Sequence, residues 1–120
     1  MDESRKKLYQ ECRNLLLNKK EEIVNGLRAL DPLLSQHVGG DEADMAQTFV
    51  EQNSSLVQRD RMNRLLREVE IALQKIDEGS YGTCEETEEP IEAERLKAMP
   101  WTRFSLEGAE YKEARKKRFA

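Results

Sequence analysis

The chain has 120 residues, 38% hydrophobic and 37% charged, with one Trp, three Tyr, three Phe and a net charge of −4. That length allows one domain, or a small domain with an extended arm. So charged a composition argues against one large globular core and suits long solvated helices that each bury a narrow stripe.

From Leu8 the apolar residues recur at spacings of three and four: Leu8, Cys12, Leu15 or Leu16, Ile23, Leu27, Leu30 and Leu34. This is the pattern of a helix with one apolar side. Asp31-Pro32 is expected to interrupt or re-cap it, because the residue before proline avoids the α region. A short extra turn, "PLLSQHV", would follow. Gly39-Gly40 is the clearest breaker in the chain.

A second helix is predicted from about Glu42 to Glu78, with Met45, Phe49, Leu56, Met62, Leu66, Val69, Leu73 and Ile76 as its stripe. Gly79 is placed to end it as the C′ residue. Two such helices joined at a Gly-Gly tip should fold back as an antiparallel hairpin, each burying the other's stripe. At about 1.5 Å per residue the arm would be on the order of 45–50 Å long. Residues 80–104 are the one long non-helical stretch. A last helix is predicted from about Leu106 to Lys117, with so thin an apolar side that docking must stabilise it. The expected fold is therefore mainly α: a coiled-coil hairpin over residues 1–79, its tip at about 36–46, then a small module with a C-terminal helix over 80–120.

Charge is unevenly spread along this frame. Residues 41–79 carry nine Asp/Glu against five Lys/Arg, whereas the last nine residues carry five Lys/Arg and one Glu. A chain this acidic is poorly suited to gripping a phosphate backbone alone, so a protein partner is expected instead of sequence-specific DNA binding. Two cysteines, Cys12 and Cys84, do not make a secreted disulfide scaffold. "MDESRKKLYQ" lacks the apolar stretch of a signal peptide, and no apolar run approaches the roughly 20 residues of a membrane helix. A reducing cytoplasm is the expected compartment.

The segment "YGTCEETEEPIEAERLKAMPWTRFSLEG", residues 81–108, begins like a zinc ribbon. Cys84 follows a Tyr-Gly turn where a first Cys-x-x-Cys pair would stand, but the partner position holds Thr87 and no cysteine follows. Together with Gly79, Tyr81-Gly82, Glu89-Pro90-Ile91, Arg95-Leu96, Ala98 and Pro100, this stretch resembles the C-terminal zinc-finger module of the DksA/TraR family. On that resemblance the four metal positions are Cys84, Thr87, Ser105 and Gly108. Structural zinc needs four donors in a tetrahedral shell. Thr and Ser hydroxyls are not deprotonated at neutral pH and Gly has no side chain, so no metal is expected. Packing by Tyr81, Ile91, Leu96, Trp101 and Phe104, with Thr87 and Ser105 bonding across the old site, would hold the module instead.

A second family motif, Asp-x-x-Asp-x-Ala, is matched by "DEADMA" at 41–46 through Asp41, Asp44 and Ala46. It falls where the Gly-Gly break had already placed the hairpin turn. The resemblance covers 41 to about 110; the N-terminal helix fits by shape.

It implies a non-enzymatic regulator, acting as a monomer, that inserts its coiled coil into the secondary channel of bacterial RNA polymerase. The tip residues Asp41, Asp44 and Ala46 would then modulate transcription initiation, while Arg61, Leu65, Arg95, Arg115 and Lys116 would meet the channel rim. Response to the alarmone guanosine tetraphosphate is doubtful, because the family's main basic positions fall on Glu68, Met99 and Ala109. A tetraphosphate facing Glu68 without basic partners is repelled, although Arg61, Leu65 and Arg95 persist. Two other readings fit a hairpin with an acidic tip: a Gre-like transcript-cleavage factor, for whose larger β-rich domain there is no room, and a coiled-coil adaptor or stress protein without polymerase contact.

Plainer roles are also open. Asp41 can serve as the N-cap of the second helix, with Asp44 in its first turn where a carboxylate suits the dipole. Cys12 reads as packing, Cys84 as a core thiol, and the lone His37 is assigned nothing. "EARKKRF" reads as a solvated helix end. One histidine, with no nucleophile–base pair and no Gly-rich phosphate loop, argues against an enzyme.

Overall fold

The computed structural model describes residues 3–34 and 42–119. Among these residues there are four helices: α1 (Glu3–Leu34), α2 (Glu42–Glu78), α3 (Ala93–Ala98) and α4 (Leu106–Phe119). Among the described residues the β-structure is one isolated antiparallel bridge, Thr83 to Pro90. The mainly helical expectation holds. Among the described residues, no helix is long and apolar enough to cross a membrane.

By packing, residues 20–67 form one compact unit, and residues 1–19 with 68–120 form the other. Each long helix contributes to both. In the 20–67 unit Ile23 and Leu30 of α1 are buried, and α1 meets α2 at Gly26, where an added Cβ would come within 2.5 Å of Met62 Cε. A glycine here lets the methionine lie against the α1 backbone.

Three expectations are corrected. Asp31-Pro32 does not interrupt α1, which continues to Leu34. Only two helical residues follow the proline, so the helix forgoes one backbone hydrogen bond near its end instead of breaking in its middle. Next, Met45, Phe49 and Leu56 are not on the buried side of α2: they are 49%, 68% and 52% exposed, while Ser55 is buried. The stripe Met62, Leu66, Val69 and Leu73 does turn inward, but Leu56 stands six positions before Met62, so Ser55, seven before Met62, takes the inward place. Finally, residues 80–104 contain α3, six residues long and too short to announce itself by periodicity. The expected Gly-Gly turn lies outside the described residues, as do His37 and Asp41.

In the other unit Leu8, Cys12 and Leu16 of α1 are buried with Val69 and Ala72 of α2 and with Tyr81, Cys84, Ile91 and Leu96 of the module. Leu15, the alternative to Leu16, is exposed. α2 ends as expected at Gly79: its φ is +83°, its N–H donates to Ile76 O, and Ser80 N–H donates to Lys75 O at 2.9 Å. This nested pair is a Schellman ending, which favours glycine at the left-handed position.

Candidate functional site: a metal-type collar built around one cysteine

The module begins as a tight hairpin. Ile91 N–H donates to Gly82 O, Cys84 N–H to Glu89 O, and Glu88 N–H back to Cys84 O. Glu88 closes the turn at φ +62°. This turn holds the Cys84 side chain inward, buried against α4. Gly82 seats the hairpin on α1. At φ +89° it adopts a left-handed conformation, and a Cβ there would lie 2.7 Å from Tyr9 Cζ. Tyr9 in turn meets Tyr81 edge to face, centroids 5.1 Å apart, and Tyr81 Oη donates to Pro100 O at 2.7 Å. Burial raises the Tyr81 phenol, and the adjoining Cys12 reinforces that. Arg5 completes the seat, donating to Ile91 O and to Tyr9 Oη.

The four metal-type positions converge on the Cys84 sulfur. Thr87 N–H donates to Sγ at 3.4 Å. Ser105 is buried; its Oγ accepts the Gly108 N–H at 3.0 Å, three residues on, so Ser105 is the N-cap of α4. The Glu92 carboxylate accepts the Leu106 N–H of the same helix start and is thereby held below its usual range. A Cβ at position 108 would overlap the Cys84 sulfur and lie 3.2 Å from Ser105 Oγ. Burial pushes the Cys84 thiol up, but hydrogen bonds from the hydroxyls and backbone of Ser105 and Thr87 outweigh it and bring the group down to about 6.

Thr87 and Ser105 thus both address the sulfur. One thiol, two hydroxyls already engaged and a glycine do not fit a structural zinc, whose sulfur ligands sit about 2.3 Å away in a four-donor shell. A side chain at position 108 would overlap the Cys84 sulfur before it could offer a donor. Among the described residues, no group of three or more His, Cys, Asp or Glu is placed to hold a metal.

Of the residues expected to pack the module, Ile91 and Leu96 are buried with Tyr81, whereas Trp101 and Phe104 are half-buried under cations: Lys19 over Trp101, Arg103 and Lys112 over Phe104. α4 is buried at Gly108 and half-buried at Ala109 in its first turn; Leu106 and residues 110–118 are exposed, although Lys112 and Arg115 reach back to Phe104 and Glu86.

Asp44 and Ala46 are exposed in the first turns of α2. Asp41 is not among the described residues. Arg61 is exposed and Leu65 half-buried in the 20–67 unit. Arg95 instead turns into the module, donating to Phe104 O at 2.8 Å. Arg115 pairs with Glu86 at 2.5 Å, and Lys116 is exposed in the last turn of α4. Glu68, at a position where the family resemblance puts a basic residue, accepts Arg103 Nε at 3.2 Å. Arg103 also reaches Glu85, which Lys75 contacts at 3.5 Å. Sequence patterns do not reveal this ion-pair chain, because its members are scattered over thirty-five residues.

The family model of the prokaryotic dksA/traR C4-type zinc finger matches residues 79–114. The RNA polymerase-binding transcription factor DksA of Caulobacter vibrioides is 38% identical over 104 residues, 85% of this chain and 73% of its own. General stress protein 16O of Bacillus subtilis is 36% identical over 74 residues, 62% of this chain and 45% of its own. The solved structure of transcription factor DksA2 from Pseudomonas aeruginosa aligns with a TM-score of 0.81 at 30% identity, over 98% of this chain and 89% of that one. This chain belongs to the DksA/TraR family.

Proposed function

We propose that the protein is a DksA-like regulator that binds bacterial RNA polymerase at the secondary channel and modulates transcription initiation through the start of α2. The observation that carries this reading is the 38% identity, over most of the chain, to a relative named for polymerase binding. The exposure of Asp44 and Ala46 supports it.

On this reading Asp44, with Asp41, brings carboxylates to cationic or backbone donors in the enzyme, and Ala46 permits close approach. No base is read, so promoters respond according to the lifetime of their open complexes. The protein is not an enzyme, works as a monomer in the cytoplasm, and contacts no membrane or specific DNA sequence. Arg61, Leu65, Arg115 and Lys116 meet the channel rim, whereas Arg95 mainly braces the module.

The collar works without zinc. Cys84, Ser105 and Gly108 knit the hairpin to α4 by packing and capping, where a four-cysteine module would use coordination. Metal analysis of the purified chain should find far less than one zinc per molecule; stoichiometric zinc would refute this. Response to guanosine tetraphosphate is weak, because the Glu68 carboxylate already engages Arg103.

Binding to purified RNA polymerase tests the main reading. Saturable association, competed by a Gre-type factor that enters the same pore, is expected; no association at micromolar concentration would overturn it.

A further inference from the structure

The unit made of residues 1–19 and 68–120 carries a cleft of about 390 Å³ between the start of α1 and α3. Its apolar lining is Leu8, which is buried, and Ala93, which is half-buried. Three cations face it, Arg5 and Lys7 from α1 and Lys97 from α3. Ser4 adds a hydroxyl and Glu11 a single carboxylate. The volume falls within the roughly 300–1,000 Å³ of small-molecule sites, which pair apolar walls with a few polar groups. None of these residues except Arg5 has a role in the module described above. None is among those that the family resemblance gives to the polymerase or to guanosine tetraphosphate.

The charges of the cleft are not spent on one another. Lys7 and Glu11 stand four apart on one helix, where an ion pair can form. Among the described residues, neither they nor Lys97 makes one. Arg5 differs: it is half-buried and held, donating to Ile91 O and to Tyr9 Oη. Its guanidinium is a fixed charge, which a ligand meets without having to order it. Burial raises the Cys12 thiol, one turn beyond Leu8, and the charges of Glu11, Lys97 and Arg5 all reach it. Side chains of two separate helices thus bring their charge to one place.

Charge and shape choose the ligand. Three cations less one carboxylate leave a net +2. One phosphomonoester matches that, at about −1.5 to −2 near neutral pH. A lone carboxylate balances half of it, and a tetraphosphate brings far more charge than the cleft neutralises. A peptide strand needs acceptors for its backbone N–H groups, and only Ser4 and Glu11 could provide them. A nucleic acid needs a longer cationic track, of roughly six or more phosphate contacts.

We infer that this cleft binds a small phosphomonoester with a compact apolar body. Lys7 and Lys97 meet the phosphoryl oxygens from α1 and α3, Arg5 supplies the fixed charge, and Leu8 and Ala93 carry the body. Glu11 limits the affinity, because its carboxylate repels the same oxygens. Binding ties α1 to α3 and so braces the seat that Arg5 already makes for the hairpin. The inference does not depend on polymerase binding.

Titration of the isotopically labelled full chain with phenyl phosphate, followed by NMR at about pH 7.5 and fixed ionic strength, tests it. Saturable shifts centred on residues 4–11 and 93–97 are expected, half-complete at about 1 mM or below. Phenyl sulfate, of the same shape with one charge, should bind about fivefold more weakly. Lys7→Gln/Lys97→Gln should weaken phenyl phosphate about tenfold or more. Its thermal midpoint should be unchanged, since both side chains face water. Glu11→Gln should tighten binding, a direction that general damage to the fold does not produce. Equal affinity in the lysine variant, or no tightening in Glu11→Gln, overturns the proposal. Equal binding of phenyl sulfate, absence of saturation, or shifts centred on the basic end of α4 would mark an adventitious ion only, which also overturns it. Tighter binding of a hexaglutamate peptide at the same residues would assign the cleft to an acidic protein segment instead.

Discussion

Gly108 at the start of α4 packs its backbone directly against the sulfur of Cys84, leaving no space for even a methyl group. Two of the four metal-type positions have thereby become a contact pair. Gly108→Ala should destabilise the protein by about 1–3 kcal/mol, the usual cost of overpacking a tight site. Cys84→Ala combined with Gly108→Ala should recover most of that loss, because the smaller side chain vacates the space. Urea unfolding of the three variants checks it; equal penalties with and without the sulfur would show that the pair is not in contact.

The same sulfur predicts a pH dependence. Burial raises the Cys84 thiol, but hydrogen bonds from Ser105 and Thr87 win and bring it to about 6 from an ordinary value of 9.0. A depressed pKa means that the thiolate stabilises the folded chain. The contribution is fully present above about pH 9 and is lost as pH falls towards 6. Stability should therefore decline from pH 9 to 6 more steeply in the wild type than in Cys84→Ala. Parallel profiles across that window would contradict the assignment.

Gly82 is held at φ +89° under Tyr9. Gly82→Ala meets both a strained backbone, at roughly 1–2 kcal/mol for an L-residue in that region, and the tyrosine ring. A loss of about 2 kcal/mol or more is expected, measured by thermal unfolding. Tyr9→Ala in the same background should relieve only the steric part, leaving the backbone strain.

Much of this was legible in the residues themselves. Leu8, Cys12, Leu16, Ile23 and Leu30 lie on the predicted α1 stripe and are buried. Gly79 ends α2 as its position required. The four metal-type positions do meet, although Thr87 and Ser105 turn to the sulfur instead of to each other. What periodicity could not give was direction. Met45, Phe49 and Leu56 have the spacing of a core stripe, and only the register imposed by Met62 and Ser55 turns them outward. Tyr9 escaped notice because its role depends on Gly82, seventy-three positions away. The Glu68–Arg103–Glu85–Lys75 chain was hidden for the same reason. Pro32 misled because its effect depends on how little helix follows it.

Transcription in vitro from a ribosomal RNA promoter, with purified bacterial RNA polymerase and either wild type or Asp44→Asn, tests the proposed regulatory action most directly. Wild type should inhibit, and Asp44→Asn, which removes one charge from an exposed position, should bind the enzyme with similar affinity yet lose most of the inhibition. Full inhibition by Asp44→Asn, or none by the wild type at saturating concentration, would contradict the account.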